Sequence, residues 1–278
     1  MKKLSILITL SFVLAFGHCQ LVRSPLQTPY TAIGSCSKSF TDAFSGSANQ
    51  AVLAEVRAPA AGVYGERRFM LRELSNYQAA LVWPAAGGGM GIVARYFGGT
   101  HFNASQFGLG YGKKLGSKID IGLQFNYNMI KLPGYGGSAA INAEAGILLH
   151  LTDRVHVGIQ VYNPVGGKFS GISNEKLASV YTSGIGYEVS DKFFIGAAIS
   201  KEENQPVSIH AGMQYVFENR FFARAGIATG AADYFFGLGL QWSNFRLDVA
   251  TAWHAQLGYT PAIMLLFNLN KSGQQHQP

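Results

Sequence analysis

Residues 117–131 read Ser-Lys-Ile-Asp-Ile-Gly-Leu-Gln-Phe-Asn-Tyr-Asn-Met-Ile-Lys. Ile119, Ile121, Leu123, Phe125, Tyr127 and Met129 share one parity; Asp120, Gly122, Gln124, Asn126 and Asn128 share the other. Side chains alternate faces along a strand, so this segment has one apolar and one polar face. Strands of soluble sheets are usually about 5–6 residues long. A tilted strand needs about 9–11 to cross a bilayer.

The pattern recurs down the chain. Strands are predicted at 62–67, 77–83, 89–97, 105–113, 118–131, 139–151, 154–162, 179–189, 192–201, 207–217, 220–228, 233–242, 245–254 and 260–269. Tight connections rich in Gly, Ser, Asp and Asn, such as Ser190-Asp191 and Ser243-Asn244, alternate with longer ones such as 68–76 and 163–178. Short turns on one side and longer loops on the other mark a transmembrane barrel. The fold expected is therefore all-β: a 14-stranded antiparallel transmembrane β-barrel over 61–270. Composition agrees: charged residues are 13%, against roughly 25% in soluble domains. Trp83, Tyr111, Tyr187, Phe217, Phe221, Trp242 and Phe245 lie beside the short turns, where an interfacial aromatic girdle belongs.

The N-terminus has the form of a secretory signal at 1–19: Lys2 and Lys3, an apolar run from 4 to 16, and small residues Gly17 and Cys19. Cleavage there lowers the formal charge from +7 to +5 by removing two lysines, and leaves Cys36 as the remaining cysteine. Residues 20–60 lack strand alternation. Their Ala, Ser and Phe predict a short helical segment, starting near Ala43 behind Thr41 and Asp42, that serves as a plug or a mobile leader. Residues 271–278 form a polar tail. Both termini fall on the short-turn side, which would be the periplasm of a Gram-negative cell.

Parity also sorts the charges. Arg95, Asp120, Glu144, His150, His156, Glu188, His210, Arg224, Arg246 and Asp248 are assigned to the inward face, because a charge facing lipid costs about 2–4 kcal/mol near the midplane. They form either a selective passage or an interior packed shut by Arg–carboxylate pairs. Buried charges are normally paired, which favours the packed interior. His150, His156 and His210 are better read as lumenal hydrogen-bonding groups than as a metal set. His101, Asn103 and Ser105 are too weak a constellation for a nucleophilic enzyme, and no G-x-S-x-G is present. Arg67, Arg68 and Arg72 in the first long loop are candidates for lipid phosphate or an acidic partner. No cofactor, no metal, no enzyme activity and no nucleic-acid partner are expected; no nucleic-acid motif occurs.

The leader, the helical segment, Gly-Val-Tyr-Gly-Glu-Arg-Arg-Phe at 62–69 and the regular hairpins together resemble the FadL-type and PorV-type (type IX secretion associated) outer-membrane barrels. Asn-Gln-Ala-Val-Leu-Ala at 49–54 stands where that group often has Asn-Pro-Ala-Gly-Leu-Ala. The resemblance implies an outer-membrane barrel in contact with lipid and lipopolysaccharide. Without the Pro and Gly of that motif, and with short loops, the expectation is a structural or accessory barrel docking protein partners in an envelope secretion or assembly machine. The rival expectation is a FadL-like conduit for a small hydrophobic molecule; a third is a lipid-modifying enzyme.

Overall fold

The computed structural model describes residues 36–170, 176–229 and 233–269. The expected leader and the polar tail lie outside the described residues. The strands are β1 (Ala60–Arg67), β2 (Ser75–Ala85), β3 (Gly88–Gly98), β4 (Asn103–Lys114), β5 (Ile119–Leu132), β6 (Gly136–His150) and β7 (Val155–Tyr162). They continue as β8 (Val180–Ser190), β9 (Phe193–Glu202), β10 (Ser208–Phe217), β11 (Phe221–Ala228), β12 (Asp233–Trp242), β13 (Phe245–His254) and β14 (Gly258–Asn268).

Each strand pairs antiparallel with its sequence neighbours, and β1 pairs with β14 from Ala60↔Asn268 to Glu66↔Ala262. The ring closes, so no row of unpaired backbone groups is left for lipid to meet. Tight turns fix the register. Glu218 and Asn219 both have positive φ (47° and 58°), the backbone shape of a type I′ hairpin turn. Gly87 and Gly116 supply positive φ in the first two short turns.

Parity separates the two faces. On β5, Leu123 and Phe125 are exposed while Gln124 and Asn126 are buried. Outward Ile141, Phe236, Val249 and Ile263 continue the apolar belt around the wall. An exterior this apolar is a surface for lipid, not water. Among the described residues no helix is long and apolar enough to cross a membrane; the strands do so. The seven aromatics named above lie on the outward face at the short-turn end. Tyr77, Tyr96, Tyr181, Tyr234, Trp253 and Tyr259 form a second outward set near the long loops. The sequence reading missed this second belt, because longer loops blur the strand ends there.

Residues 36–57 run inside the barrel against the inward face of the short-turn half. The α-helix expected near Ala43 does not form. Asp42 Oδ1 accepts a hydrogen bond from the Phe44 backbone N–H at 2.9 Å, and a single 3₁₀ turn follows at Ser45–Ser47. Two serines and Gly46 are poor material for extending it. Asn49 is extended and its side chain accepts from Ala51 N, opening a second 3₁₀ helix at Gln50–Glu55. That helix packs against β3, β4, β5 and β6. Inward glycines make room for it: a Cβ on Gly122 would strike the Gln50 backbone, and one on Gly112 the Ala54 backbone.

Candidate functional site

In the lumen, polar side chains from many strands converge. Its largest network centres on Glu144 of β6, which is 1% exposed. Its carboxylate accepts from Gln50 Nε2 at 2.5 Å, Asn126 Nδ2 at 2.8 Å, Gln160 Nε2 at 3.0 Å and Gln124 Nε2 at 3.4 Å. Strands β5, β6 and β7 put these side chains at matching heights, since Gln124 pairs Glu144 and Gly146 pairs Gln160. Nearer the long loops, Arg95 Nη1 donates to Gln106 Oε1, Gln106 Nε2 to Asn128 Oδ1, and Asn128 Nδ2 to Asn142 Oδ1. This half of the lumen is filled.

A second network lies on the opposite wall. Arg224 Nη1 donates to Asp248 Oδ2 at 2.8 Å, and Arg224 Nε to Gln214 Oε1. Arg246 forks onto both oxygens of Asp248 and stacks 4.4 Å over the Phe222 ring. Its Nη1 also lies 3.8 Å from Asp42 Oδ2 of the inner segment. A cavity of ≈ 290 Å³ opens here, lined by Phe40, Thr41, Asp42, Gln214, Phe222 and Arg224 among others.

A third network clamps the inner segment at both ends. Glu188 Oε1 accepts from Ser37 Oγ, Lys38 N and Ser39 N. His156 Nε2 lies 3.5 Å from the same oxygen. His156 and His150 meet at 2.9 Å between their Nδ1 atoms, and His150 Nε2 lies 2.9 Å from Asp120 Oδ2.

The structure thus places all ten candidate residues on inward positions, in separate groups. His210 does not join His150 and His156; it sits on β10 beside Ser208. Asn103 and Ser105 lie on the outward parity of β4, and no hydrogen bond links them to His101. The basic loop is not a cluster. Two 3₁₀ turns, Arg68–Met70 and Arg72–Leu74, scatter it, and Arg68 Nε turns back to Glu66 Oε1 at 3.1 Å while Arg67 and Arg72 remain exposed. Glu66, unmarked in the sequence reading, is a hub that also accepts from Tyr64 and Asn76. The inward parity of 60, 62, 64 and 66 was the signal that could have found it.

Outside the barrel wall, Lys176 Nζ donates to both oxygens of Glu203 and joins two of the longer loops. That bond holds the Glu203 carboxyl below its ordinary range.

Exposure of inward residues is uneven. Those at the centre of β5 to β7, including Gln124, Asn126, Glu144, His156 and Gln160, are buried. Inward Ser200 of β9, His210 of β10, Phe222 of β11 and Ala250 of β13 are only half-buried. Half-buried inward positions therefore occur on β9, β10, β11 and β13, between buried ones such as Phe194, Gln214, Arg224 and Asp248, while Phe235 of β12 is buried.

No family model matches the chain, and no curated protein matches it by sequence. Solved structures do match by fold. The CymD monoaromatic hydrocarbon channel aligns with a TM-score of 0.62 at 14% identity, covering 88% of this chain and 96% of that one. The Pseudomonas putida toluene transporter TodX gives 0.60 at 10%, covering 89% and 97%. A Pseudomonas aeruginosa FadL homologue gives 0.57 at 11%, covering 89% and 98%. The likeness establishes the fold: a 14-stranded barrel of the FadL-like kind.

The matches correct the expectation of a docking component in a secretion or assembly machine. The similar structures include a monoaromatic hydrocarbon channel, a toluene transporter and a FadL homologue, and the PorV-type half of the resemblance is not shown. Loss of Pro and Gly from the 49–54 motif weighed against a conduit. Yet Asn49 still caps its turn, and Ala51, Val52 and Leu53 are still buried inside the barrel.

Proposed function

We propose that this chain is an outer-membrane conduit for small hydrophobic molecules, with residues 36–57 as its plug and the short turns on the periplasmic side. The observation that carries the reading is a set of half-buried inward positions on β9, β10, β11 and β13. They include Phe222, Ala250 and Ser200, and Phe222 also lines the cavity beside Phe40. Ligand passages combine apolar side chains with fixed polar groups, and the cavity sets Phe40, Phe222 and Leu266 beside Gln214, Arg224 and Arg246. Arg224, Arg246 and Asp248, with Asp42 of the inner segment, supply the polar groups: two arginines against two carboxylates, so the cluster is balanced in charge. The hydrocarbon channels of similar fold support the cargo class: a small aromatic or alkyl-aromatic hydrocarbon.

Whole-cell uptake tests the reading, because lipopolysaccharide in an intact outer membrane slows passive entry of such solutes. Cells producing the protein should take up labelled toluene several-fold faster than cells without it. Ala250→Trp, which fills the passage from one half-buried position, should return uptake to background while the barrel still assembles; Ser200→Trp gives a second position. Equal uptake with and without the protein would overturn the proposal.

A further inference from the structure

Glu55 ends the 3₁₀ helix of the inner segment, while Asp120 and His150 stand on neighbouring wall strands β5 and β6. All three are buried, and one donor atom from each lies within 4.8 Å of the others. His150 Nε2 is 2.9 Å from Asp120 Oδ2 and 3.8 Å from Glu55 Oε1. Two ligands held about 2.0–2.2 Å from one ion at a tetrahedral angle lie roughly 3.3–3.6 Å apart. The two observed separations bracket that range.

Two further observations point to a cation. The carboxylates are poor in donors: Lys114 Nζ bonds Glu55 Oε2 at 2.8 Å, but Glu55 Oε1 accepts no hydrogen bond and faces His150. Asp120 has His150 Nε2 as its one hydrogen-bond neighbour among the described residues, with the direction set by the ring's tautomer, although an ionised carboxylate has about four lone-pair sites. The second observation is the hydrogen count along Asp120–His150–His156–Glu188. The rings meet Nδ1 to Nδ1, so one donates and the other accepts. With the hydrogen of His150 on Nδ1, its Nε2 lone pair meets two carboxylate oxygens. A cation at that point makes all three atoms ligands. His156 then accepts at Nδ1, and its Nε2–H points to Glu188 Oε1. His156 thus stands at the second nitrogen of His150, the place from which an outer partner orients a metal-bound histidine.

We propose that Glu55, Asp120 and His150 form a divalent transition-metal site, of the zinc or cobalt type, that fastens the inner segment to the barrel wall. Mixed imidazole and carboxylate donors suit these ions better than Ca²⁺ or Mg²⁺, which take oxygen ligands. A cavity of ≈ 260 Å³ on the short-turn side reaches Glu55 of the three, beside Val56 and Arg57.

The test uses the tag-free, folded full-length barrel in detergent, titrated with Co²⁺ and then with Zn²⁺. One equivalent of Co²⁺ should develop visible absorption that one equivalent of Zn²⁺ removes. Glu55→Gln and His150→Gln should each weaken binding at least tenfold, and His156→Gln about 10–100-fold. His210→Gln, remote from the site, should leave it unchanged. Should His150→Gln fail to fold, Glu55→Gln carries the test, because Glu55 lies on the segment and not on the wall. Absence of a stoichiometric Co²⁺ spectrum, or equal affinity in Glu55→Gln, would overturn the site and mean that a shared proton alone joins the histidines.

Discussion

Replacing Glu144 by leucine is expected to lower the unfolding free energy by about 3–5 kcal/mol, the range for breaking a buried charged network by removing one partner. Four amide N–H groups point at this one carboxylate, from Gln50, Gln124, Asn126 and Gln160. Each buried donor left unsatisfied costs about 1–3 kcal/mol, less where lumenal water can reach it. Leucine also cuts the bond from Gln50, leaving Asn49 Nδ2 on Ile147 O to hold the middle of the inner segment. Glu144→Gln should cost less, since its amide oxygen can still accept two of the four. Urea titration of the folded barrel, followed by the migration shift of folded against unfolded protein in gels, checks the ranking. Equal midpoints for wild type and Glu144→Leu would show that the network carries no stability.

Deleting residues 37–59 should convert a poorly conducting barrel into an open pore. The wall does not depend on the segment: β1 begins at Ala60, and every strand is paired by its two neighbours. Insertion should therefore persist. The lumen loses Phe44, Val52 and Leu53, each buried, together with the burial of about 1.5–3 kcal/mol that a large apolar side chain provides. Inward Gly89, Gly112, Gly122 and Gly146 then face empty space, because the segment is what a Cβ at each would strike. Planar-bilayer recordings should show small currents for the intact chain and large, steady ones for the deletion. Large currents from the intact chain would contradict a segment that closes the short-turn half.

The wall was legible in the sequence because its rules are local. Parity on 119–129 and turn chemistry at Glu218-Asn219 or Ser243-Asn244 need no knowledge of distant residues. The same parity assigned Asp120, Glu144 and Asp248 to the lumen. It could not say which of them meet. Glu144 and Gln50 are far apart in sequence, as are Glu188 and Ser37, and only barrel closure brings them together. The inner segment was hardest to read: its shape comes from wall contacts, so helix propensity at 43–56 pointed to an α-helix where two 3₁₀ turns form. The Arg67, Arg68 and Arg72 loop misled for a related reason. Proximity in sequence suggested a cluster, while two tight turns, the first with positive φ at Phe69 and Met70, splay it apart.

Photolabelling with a diazirine-bearing alkylbenzene, mapped residue by residue, tests the conduit most directly. Neighbouring positions on one strand serve as internal controls: Val249 and Ile209 face out, whereas Ala250 and His210 face in. The account predicts labelling at inward Ala250, His210 and Phe222 that excess toluene suppresses, above lipid-facing labelling that toluene does not saturate. Label confined to the outward positions, with the inward ones untouched at every probe concentration, would contradict a hydrocarbon path through this barrel.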